Sequence, residues 1–394
     1  MPWQELSPME QRLQLVRDYQ SGLFTMTELA AQYGICRKTG YKWVDRFVEA
    51  EADVRALADR SRRPHTSPHA TAREVVDELI AMRRRYPHRG PKKLLAMGAK
   101  AHPGWEWPSC STASAWLKHA GLVAPRRRAP SHGRLPSTLP PMTGANVTWT
   151  TDFKGQFRTR DGIYCYPLTL RDGWSRFVLR CDALLAPTFA ATQRCFARAF
   201  AEYGLPDRIR SDNGVPFVGI GLAGLSRLAI WWIRLAILPE RIAPGRPDQN
   251  GSHEHFHGVL KAHTARPPAA HRRAQQRRFD RFRRDYNEDR PHEALDQQVP
   301  GSRYTPSTRP FPAELPRLEY PGHMEVRRVS DSGCIGWKNA QPFVSETLAG
   351  EWVALEEVDD GLWTLYFATI ALARFDERRQ CFHPIASFSK PRKA

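Results

Sequence analysis

The spacing of apolar residues changes along the 394-residue chain and predicts several domains. Over residues 1–50 and 51–122 the apolar side chains recur every three or four positions, which predicts two all-α domains. Between residues 147 and 300 short strand-like runs alternate with helical segments, the pattern of an α/β sheet flanked by helices. From 319 to 394 the strand pattern returns, and we expect a small β-barrel there.

The first domain has the order of helices found in a helix-turn-helix. Capping boxes at Ser7 and Thr25 begin two helices, Gly34 lies in the turn, and a basic third helix covers residues 37–48. Cys36 occupies the position where Ser or Thr would cap the third helix better. We expect this helix to read DNA; a helical hairpin without DNA contact is the alternative. The predicted DNA contacts are Arg37, Lys38, Tyr41 and Lys42.

The second helical domain, 51–122, is similar to a second DNA-reading unit. Its last helix, over residues 111–118, contains a single lysine, so a helical spacer is an equally good interpretation. The composition then changes between 123 and 146, where five Pro and four Arg occur with no acidic residue. A Pro-rich segment stays extended, and we predict a linker that follows a phosphate backbone. Its predicted DNA contacts are Arg126, Arg127 and Arg128.

The charge of the chain favours a polyanionic partner. Lys and Arg number 59 against 41 Asp and Glu, a formal net charge of +18. Double-stranded DNA is therefore the first expectation, and an anionic membrane surface is the second. The longest apolar run, 222–238, contains two arginines and is short for a membrane span. The seven cysteines are scattered without CxxC pairs, which favours a reducing compartment. We expect a cytoplasmic, nucleoid-associated protein without a membrane partner.

Three acidic residues have distinctive neighbours. Asp152 lies within a strand, Asp212 lies in the motif Ser-Asp-Asn-Gly, and Glu254 follows Asn-Gly on a helix. Any one of them could be an ordinary surface group, but the ordered triple indicates converging carboxylates that hold divalent metal. Oxygen ligands favour Mg²⁺, with Mn²⁺ as a substitute, and two such ions serve phosphodiester chemistry. We therefore predict that Asp152, Asp212 and Glu254 are both the catalytic residues and the metal ligands.

The helix around Glu254 contains other polar residues. The histidines 253, 255 and 257 alternate along it and point in different directions, so we reject a zinc site. His257 is expected to face the candidate site. Lys261 lies on the same helical face as Glu254 and is predicted to contact DNA phosphate, although a solvated lysine is the alternative. Seven arginines between 272 and 284 predict a further DNA-tracking surface.

Residues 217–225 look like an insertion before a helix that contains Trp231 and Trp232. We predict that one stripe of this helix is core. A second stripe, formed by Arg227, Trp231 and Arg234, is expected to be a solvated basic face; a surface that binds DNA is the alternative.

Taken together, these motifs resemble the insertion-sequence transposases that share the retroviral-integrase core, the DDE superfamily. The resemblance includes the helix-turn-helix units, the Thr-Asp and Ser-Asp-Asn-Gly motifs, the Asn-Gly-x-x-Glu helix and a Tyr-Asn-x-x-Arg-Pro-His motif at 286–292. One departure is a longer gap than usual between Asp212 and Glu254.

The resemblance implies a ribonuclease-H-like core in which the three carboxylates bind the metals. It also implies binding of terminal inverted repeats, cleavage of the element's ends by water, and attack of the freed 3′-hydroxyl on target DNA. Pairing of two ends implies at least a dimer. A sequence-specific DNA-binding regulator with an inactive core, or a structure-selective nuclease, is the alternative function.

Overall fold

The computed structural model describes residues 6–61, 70–123, 139–219, 222–243, 246, 249 and 251–385. The chain forms two compact units, Met1–Ala70 and Thr71–Ala394. Each is described separately.

The first unit contains the predicted three helices: α1 (Pro8–Gln20), α2 (Met26–Gln32) and α3 (Arg37–Glu49). Both capping boxes are formed, at Ser7 with Glu10 and at Thr25 with Glu28. Cys36 makes no side-chain cap to α3, as its position suggested. The helices enclose one apolar core, to which a following turn contributes the fully buried Leu57.

The second unit begins with three helices, α4 (Arg73–Arg85), α5 (Pro91–Ala101) and α6 (Cys110–His119). Leu79, Leu94 and Leu117, one from each helix, meet in their core. The turn between α4 and α5 attaches this bundle to the rest of the unit. There Arg89, only 1% exposed, pairs with Asp285 at 2.5 Å and donates to the carbonyl oxygen of residue 289 at 3.1 Å.

A mixed sheet follows, and it has the predicted order of an antiparallel hairpin before strand-helix units. Its strands are β1 (Thr148–Phe153), β2 (Phe157–Arg158), β3 (Tyr164–Asp172), β4 (Val178–Leu184), β5 (Arg208–Ser211) and β6 (Leu238–Arg241). Strand β3 pairs antiparallel with β1, β2 and β4, whereas β1, β5 and β6 are parallel. This topology places β1 at the centre, between β3 and β5.

Helices cover both faces of this sheet. Helices α7 (Phe189–Tyr203) and α8 (Arg227–Arg234) share one apolar core with it. Helices α9 (Gly251–Thr264) and α10 (Arg272–Arg284) form a second core on the strands, through side chains such as Phe256. A π-helical turn, Asp285–Asp289, extends α10.

The C-terminal part is an open antiparallel sheet, so the prediction of a β-barrel is wrong. The strands β7 (Glu325–Arg328), β8 (Trp352–Asp359), β9 (Leu362–Phe367), β10 (Ile370–Asp376) and β11 (Cys381–Pro384) pair in the order β11-β10-β9-β8-β7. The first and last strands do not pair with each other. Closure is unnecessary because α8 and the segment 329–348 already cover the apolar face.

Helix α8 is buried on most sides, so the prediction of a solvated basic stripe holds for the exposed Arg227 but is wrong for Trp231 and Arg234. Trp231 is 8% exposed and packs on Phe200 and Phe311. Arg234 pairs with Glu351 at 3.5 Å. One side of α8 supports the central sheet and the other supports the C-terminal sheet. No helix in the described part of the chain is both long and apolar enough to cross a membrane.

We predict that Arg89→Met lowers the free energy of unfolding by about 2 kcal/mol, because its hydrogen bonds to a carboxylate and a carbonyl are lost together. Chemical denaturation followed by circular dichroism measures the change. Arg84→Met is the control, since Arg84 is exposed on α4. Equal stability of the two variants would show that the contact contributes nothing.

Candidate active site

Asp152 lies near the carboxyl end of the central strand β1, opposite Thr169 of β3. Its side chain is 16% exposed. The backbone carbonyl of Asp152 accepts a hydrogen bond from the Thr169 hydroxyl at 3.1 Å. The first carboxylate is thus held by the middle of the sheet.

Asp212 directly follows β5, the parallel neighbour of β1. Because the carboxyl ends of parallel strands meet at one edge of a sheet, Asp152 and Asp212 lie at the same edge. The amide of Gly214 donates to a carboxylate oxygen of Asp212 at 3.1 Å. Burial raises the pKa of Asp212 in spite of this hydrogen bond.

Helix α9 carries Glu254 and is attached to the sheet by two buried histidines. His253 contacts the Thr150 hydroxyl through Nδ1 at 3.1 Å and the Thr169 hydroxyl through Nε2 at 2.6 Å. His257 contacts the same Thr169 hydroxyl through Nε2 at 2.9 Å. Glu254 itself is exposed, beside this buried face.

The hydrogen-bond capacity of Thr169 determines which nitrogen carries each proton. The hydroxyl has one hydrogen and gives it to the Asp152 carbonyl, so both imidazole Nε2 atoms must donate to it. Burial lowers the pKa of His257 to about 3 and that of His253 well below its ordinary value, so both rings are neutral. The unprotonated Nδ1 of His257 then faces an Asp152 carboxylate oxygen at 3.7 Å.

The electrostatics of Asp152 indicate that the three predicted carboxylates are neighbours. Burial raises the pKa of Asp152 to about 7, and repulsion from Asp212 and Glu254 adds to this effect. A backbone hydrogen bond and the nearby Lys154 oppose the shift. Asp212 and Glu254 are therefore close enough to Asp152 to repel its negative charge.

In the described residues no group of three or more His, Cys, Asp or Glu is arranged to hold a metal ion. The three carboxylates are thus near one another without forming a finished ligand set. The three side chains still fit a hard divalent cation, because they offer only oxygen atoms as ligands. A bound cation would also relieve the repulsion between their negative charges. The lone pair of His257 beside Asp152 fits the same interpretation.

Lys154 lies near Asp152, and Lys261 lies near Lys154. Burial lowers the pKa of Lys154, and repulsion from Lys261 lowers it further. Both line a small cleft of about 100 Å³ together with Arg266. The structure thus brings Lys261 to the edge of the candidate site.

In the first unit, the four residues predicted to contact DNA lie on one exposed face of α3. Arg37, Lys38, Tyr41 and Lys42 border a shallow groove of about 710 Å³, and Trp43 points into the core. The linker residues Arg126, Arg127 and Arg128 lie outside the described residues.

The sequence interpretation missed the roles of Thr150, Thr169 and His253. A signal for Thr150 is present, because the period of two in a strand places it on the same face as Asp152. Thr169 and His253 have no such signal, since their contact depends on the docking of α9 across 84 residues of sequence.

Thr169→Val is expected to destabilise the protein by about 2 to 3 kcal/mol, since two buried imidazole N–H groups lose their acceptor. Thr169→Ser keeps the hydroxyl and is expected to stay within about 1 kcal/mol of the native protein. Denaturant unfolding of the two variants tests this role; a loss in Thr169→Val no larger than that in Thr169→Ser would show that the hydroxyl does not stabilise this junction.

Comparison with known proteins identifies the domains. Residues 142–247 and 235–300 match two integrase core domain families, and residues 11–65 match a helix-turn-helix domain family.

Several solved structures are similar to this chain. The catalytic core domain of HTLV-2 integrase in complex with magnesium (trimeric form) is 14% identical, with 41% of this chain and 98% of that chain covered and a TM-score of 0.33. The simian T-cell lymphotropic virus intasome in complex with PP2A regulatory subunit B56 gamma is 17% identical, with 74% and 97% covered and a TM-score of 0.37. The catalytic core domain of BIV integrase is 17% identical, with 40% and 93% covered and a TM-score of 0.31.

The domain matches show a helix-turn-helix region and a ribonuclease-H-like integrase core. The chain thus combines a helix-turn-helix domain with an integrase core domain, which is consistent with an insertion-sequence transposase that has an integrase-like core.

Proposed function

We propose that this protein is a transposase that binds the terminal inverted repeats of an insertion sequence and catalyses end cleavage and strand transfer. One observation carries the proposal: Asp152, Asp212 and Glu254, from two neighbouring strand ends and a docked helix, interact electrostatically at one edge of an integrase core. The helix-turn-helix domain supplies recognition of the element's ends.

Asp152, Asp212 and Glu254 would hold two Mg²⁺ ions, for which Mn²⁺ is a substitute. When bound, these cations activate the attacking oxygen and stabilise the leaving oxygen of the phosphodiester. His253 and His257 hold α9 so that Glu254 stays beside Asp152. In the same proposal, Lys154 and Lys261 bind the DNA phosphates next to the carboxylates.

The arginines of α10 divide into two groups. Arg272, Arg278 and Arg283 donate to backbone carbonyls and stabilise the fold. The remaining four are exposed and recur every three or four residues, so they lie along one helical side. We assign DNA tracking to this second group alone, which consists of Arg273, Arg277, Arg281 and Arg284.

Binding of both ends of the element at once requires at least two protomers. In this proposal the protein acts on DNA in the nucleoid. The basic linker residues Arg126, Arg127 and Arg128 would add phosphate contacts between the DNA-reading helices and the core.

Removal of one carboxylate is expected to abolish catalysis and spare DNA binding. Asp152→Asn, Asp212→Asn and Glu254→Gln should each reduce cleavage of element-end DNA by at least about 1000-fold, because the cations lose a charged ligand. The assay measures nicked and joined products in Mg²⁺ or Mn²⁺, with chelator as a blank. The matched control is Asp331→Asn, an exposed carboxylate in the C-terminal part.

The products also separate the alternatives. A regulator with an inactive core shifts the DNA without cutting it. A simple nuclease cuts but does not join the 3′ end to a second duplex. Full cleavage by any of the three purified variants would refute its assigned role.

Recognition by α3 is tested separately. Arg37→Gln and Lys42→Gln should each weaken binding to element-end DNA several-fold, and each lost phosphate contact should reduce the salt slope by about 1. Fluorescence anisotropy at several salt concentrations measures both quantities. Arg17→Gln, at an exposed position of α1, is the control. Unchanged affinity in both α3 variants would assign recognition to another surface.

A further inference from the structure

A second cleft lies at the opposite end of β1 from Asp152. The turn between β3 and β4 borders it, and the amide of Gly173 in this turn donates to the carbonyl of Thr148 at 2.9 Å. Asp152 comes four positions after Thr148, about 13 Å along a strand. The cleft has a volume of about 650 Å³, which is in the usual range for a small-molecule site. Its lining also includes Ser252, two residues before Glu254, so the cleft adjoins the candidate active site without containing any of its three carboxylates.

The turn beside the cleft is rigid. Asp172, which is fully buried, accepts from the amide and the hydroxyl of Ser175 at 2.7 and 2.6 Å and from the amide of Asn146 at 2.8 Å. A side chain at Gly173 would overlap the sulfur of Met142 and the Thr148 carbonyl, so only glycine fits there. The position of the side chains that follow is consequently fixed before any ligand arrives.

Trp174 and Arg176 are the side chains that this turn presents to the cleft. Trp174 is half-buried, and among the residues that the structure describes no other aromatic ring packs on it. Arg176 has a φ of +64°, a left-handed conformation that residues other than glycine rarely adopt. Strain of this kind persists where surrounding contacts impose it, and it commonly marks a functional position.

The charge of the cleft is positive. Arg210 lines it but is neutralised by Glu240 at 2.5 Å. Arg303 donates a hydrogen bond to the neutral side-chain amide oxygen of Gln298 at 2.7 Å. Arg176 has no carboxylate partner among the described residues. Asp296 is the single acidic residue in the described lining. The cleft therefore combines an aromatic ring with two arginines that no described carboxylate pairs with.

We propose that this cleft binds one unpaired nucleotide of a DNA strand, with its base stacked on Trp174 and its phosphate held by Arg176 and Arg303. Aromatic stacking together with cationic phosphate contacts is the usual chemistry of single-strand binding. Both faces of a base inside a closed duplex are already covered by neighbouring bases, so only an unpaired nucleotide can stack on Trp174. The inference rests on the proposed function, since it assigns a frayed or displaced strand to a protein that acts on DNA.

The test uses the full chain in chelator, so that no cutting occurs. Two DNA probes of the same length contain 2-aminopurine, one in a short single-stranded tail and one within a fully paired duplex. We expect the bound tail probe to lose fluorescence through stacking and to bind about tenfold more weakly to Trp174→Ala. Trp174→Phe retains a ring and should retain most of the quenching.

The controls isolate the ring and the charge. Trp352→Ala removes an exposed Trp of β8 and should behave as the native protein does. Arg303→Gln should weaken binding of the tailed probe and leave its quenching intact when the probe is saturated.

The outcomes are distinguishable. If the native protein binds neither probe, the proposed function fails. If it binds both probes equally well, and Trp174→Ala changes neither affinity nor fluorescence, the cleft is not a nucleotide site although the protein binds DNA. Thermal melting of each variant checks that it is folded. If Trp174→Ala does not fold, Trp174→Phe still tests the inference.

Discussion

The hydroxyl of Thr169 is the contact on which the candidate active site depends. It gives its hydrogen to the carbonyl of Asp152 and accepts hydrogens from His253 and His257. It thereby joins the strand with the first carboxylate to the helix with the third. Both imidazoles are neutral, so this junction in the core avoids the large cost of burying a charge.

The same junction explains the exposure of Glu254. Helix α9 uses one face for docking, where His253, Phe256, His257 and Leu260 recur at helical spacing and are all buried. Glu254 lies beside that face, and Lys261, two turns later, lies on the same side of the helix as Glu254. A carboxylate and a cation thus share the solvent side of a rigidly held helix, next to Asp152.

Sequence patterns predicted those features that depend on local periodicity and on strand order. The capping boxes of α1 and α2 are local, and they are formed. The proximity of Asp152 and Asp212 follows from strand ends that meet at one edge of a sheet, so the sequence could indicate it. The role of Thr169 could not be predicted, because its two histidine partners lie 84 and 88 residues away and reach it only through the packing of α9.

The two wrong predictions have one physical cause. A strand pattern with a period of two shows that a sheet has an apolar face, but it does not show what covers that face. In the C-terminal sheet the cover is α8, which also packs on the central sheet through Trp231. A helix between two sheets has little solvated surface, here chiefly at Arg227, and a sheet covered by this helix and by segment 329–348 has no need to close. Burial of Trp231 and the open edges of β7 and β11 are therefore two results of a single packing arrangement.

The structure separates the positive charges that stabilise the fold from those that are exposed to a partner. Arg89, Arg171, Arg210 and Arg290 are buried, and they support the fold through internal contacts. These arginines add to the net charge of +18 without forming a DNA surface. Among the described residues, the exposed cations include Arg37, Lys38 and Lys42 on α3, Lys261 on α9, and Arg273, Arg277, Arg281 and Arg284 on α10. Net charge indicated the class of partner, whereas burial decides which arginines are free to bind it.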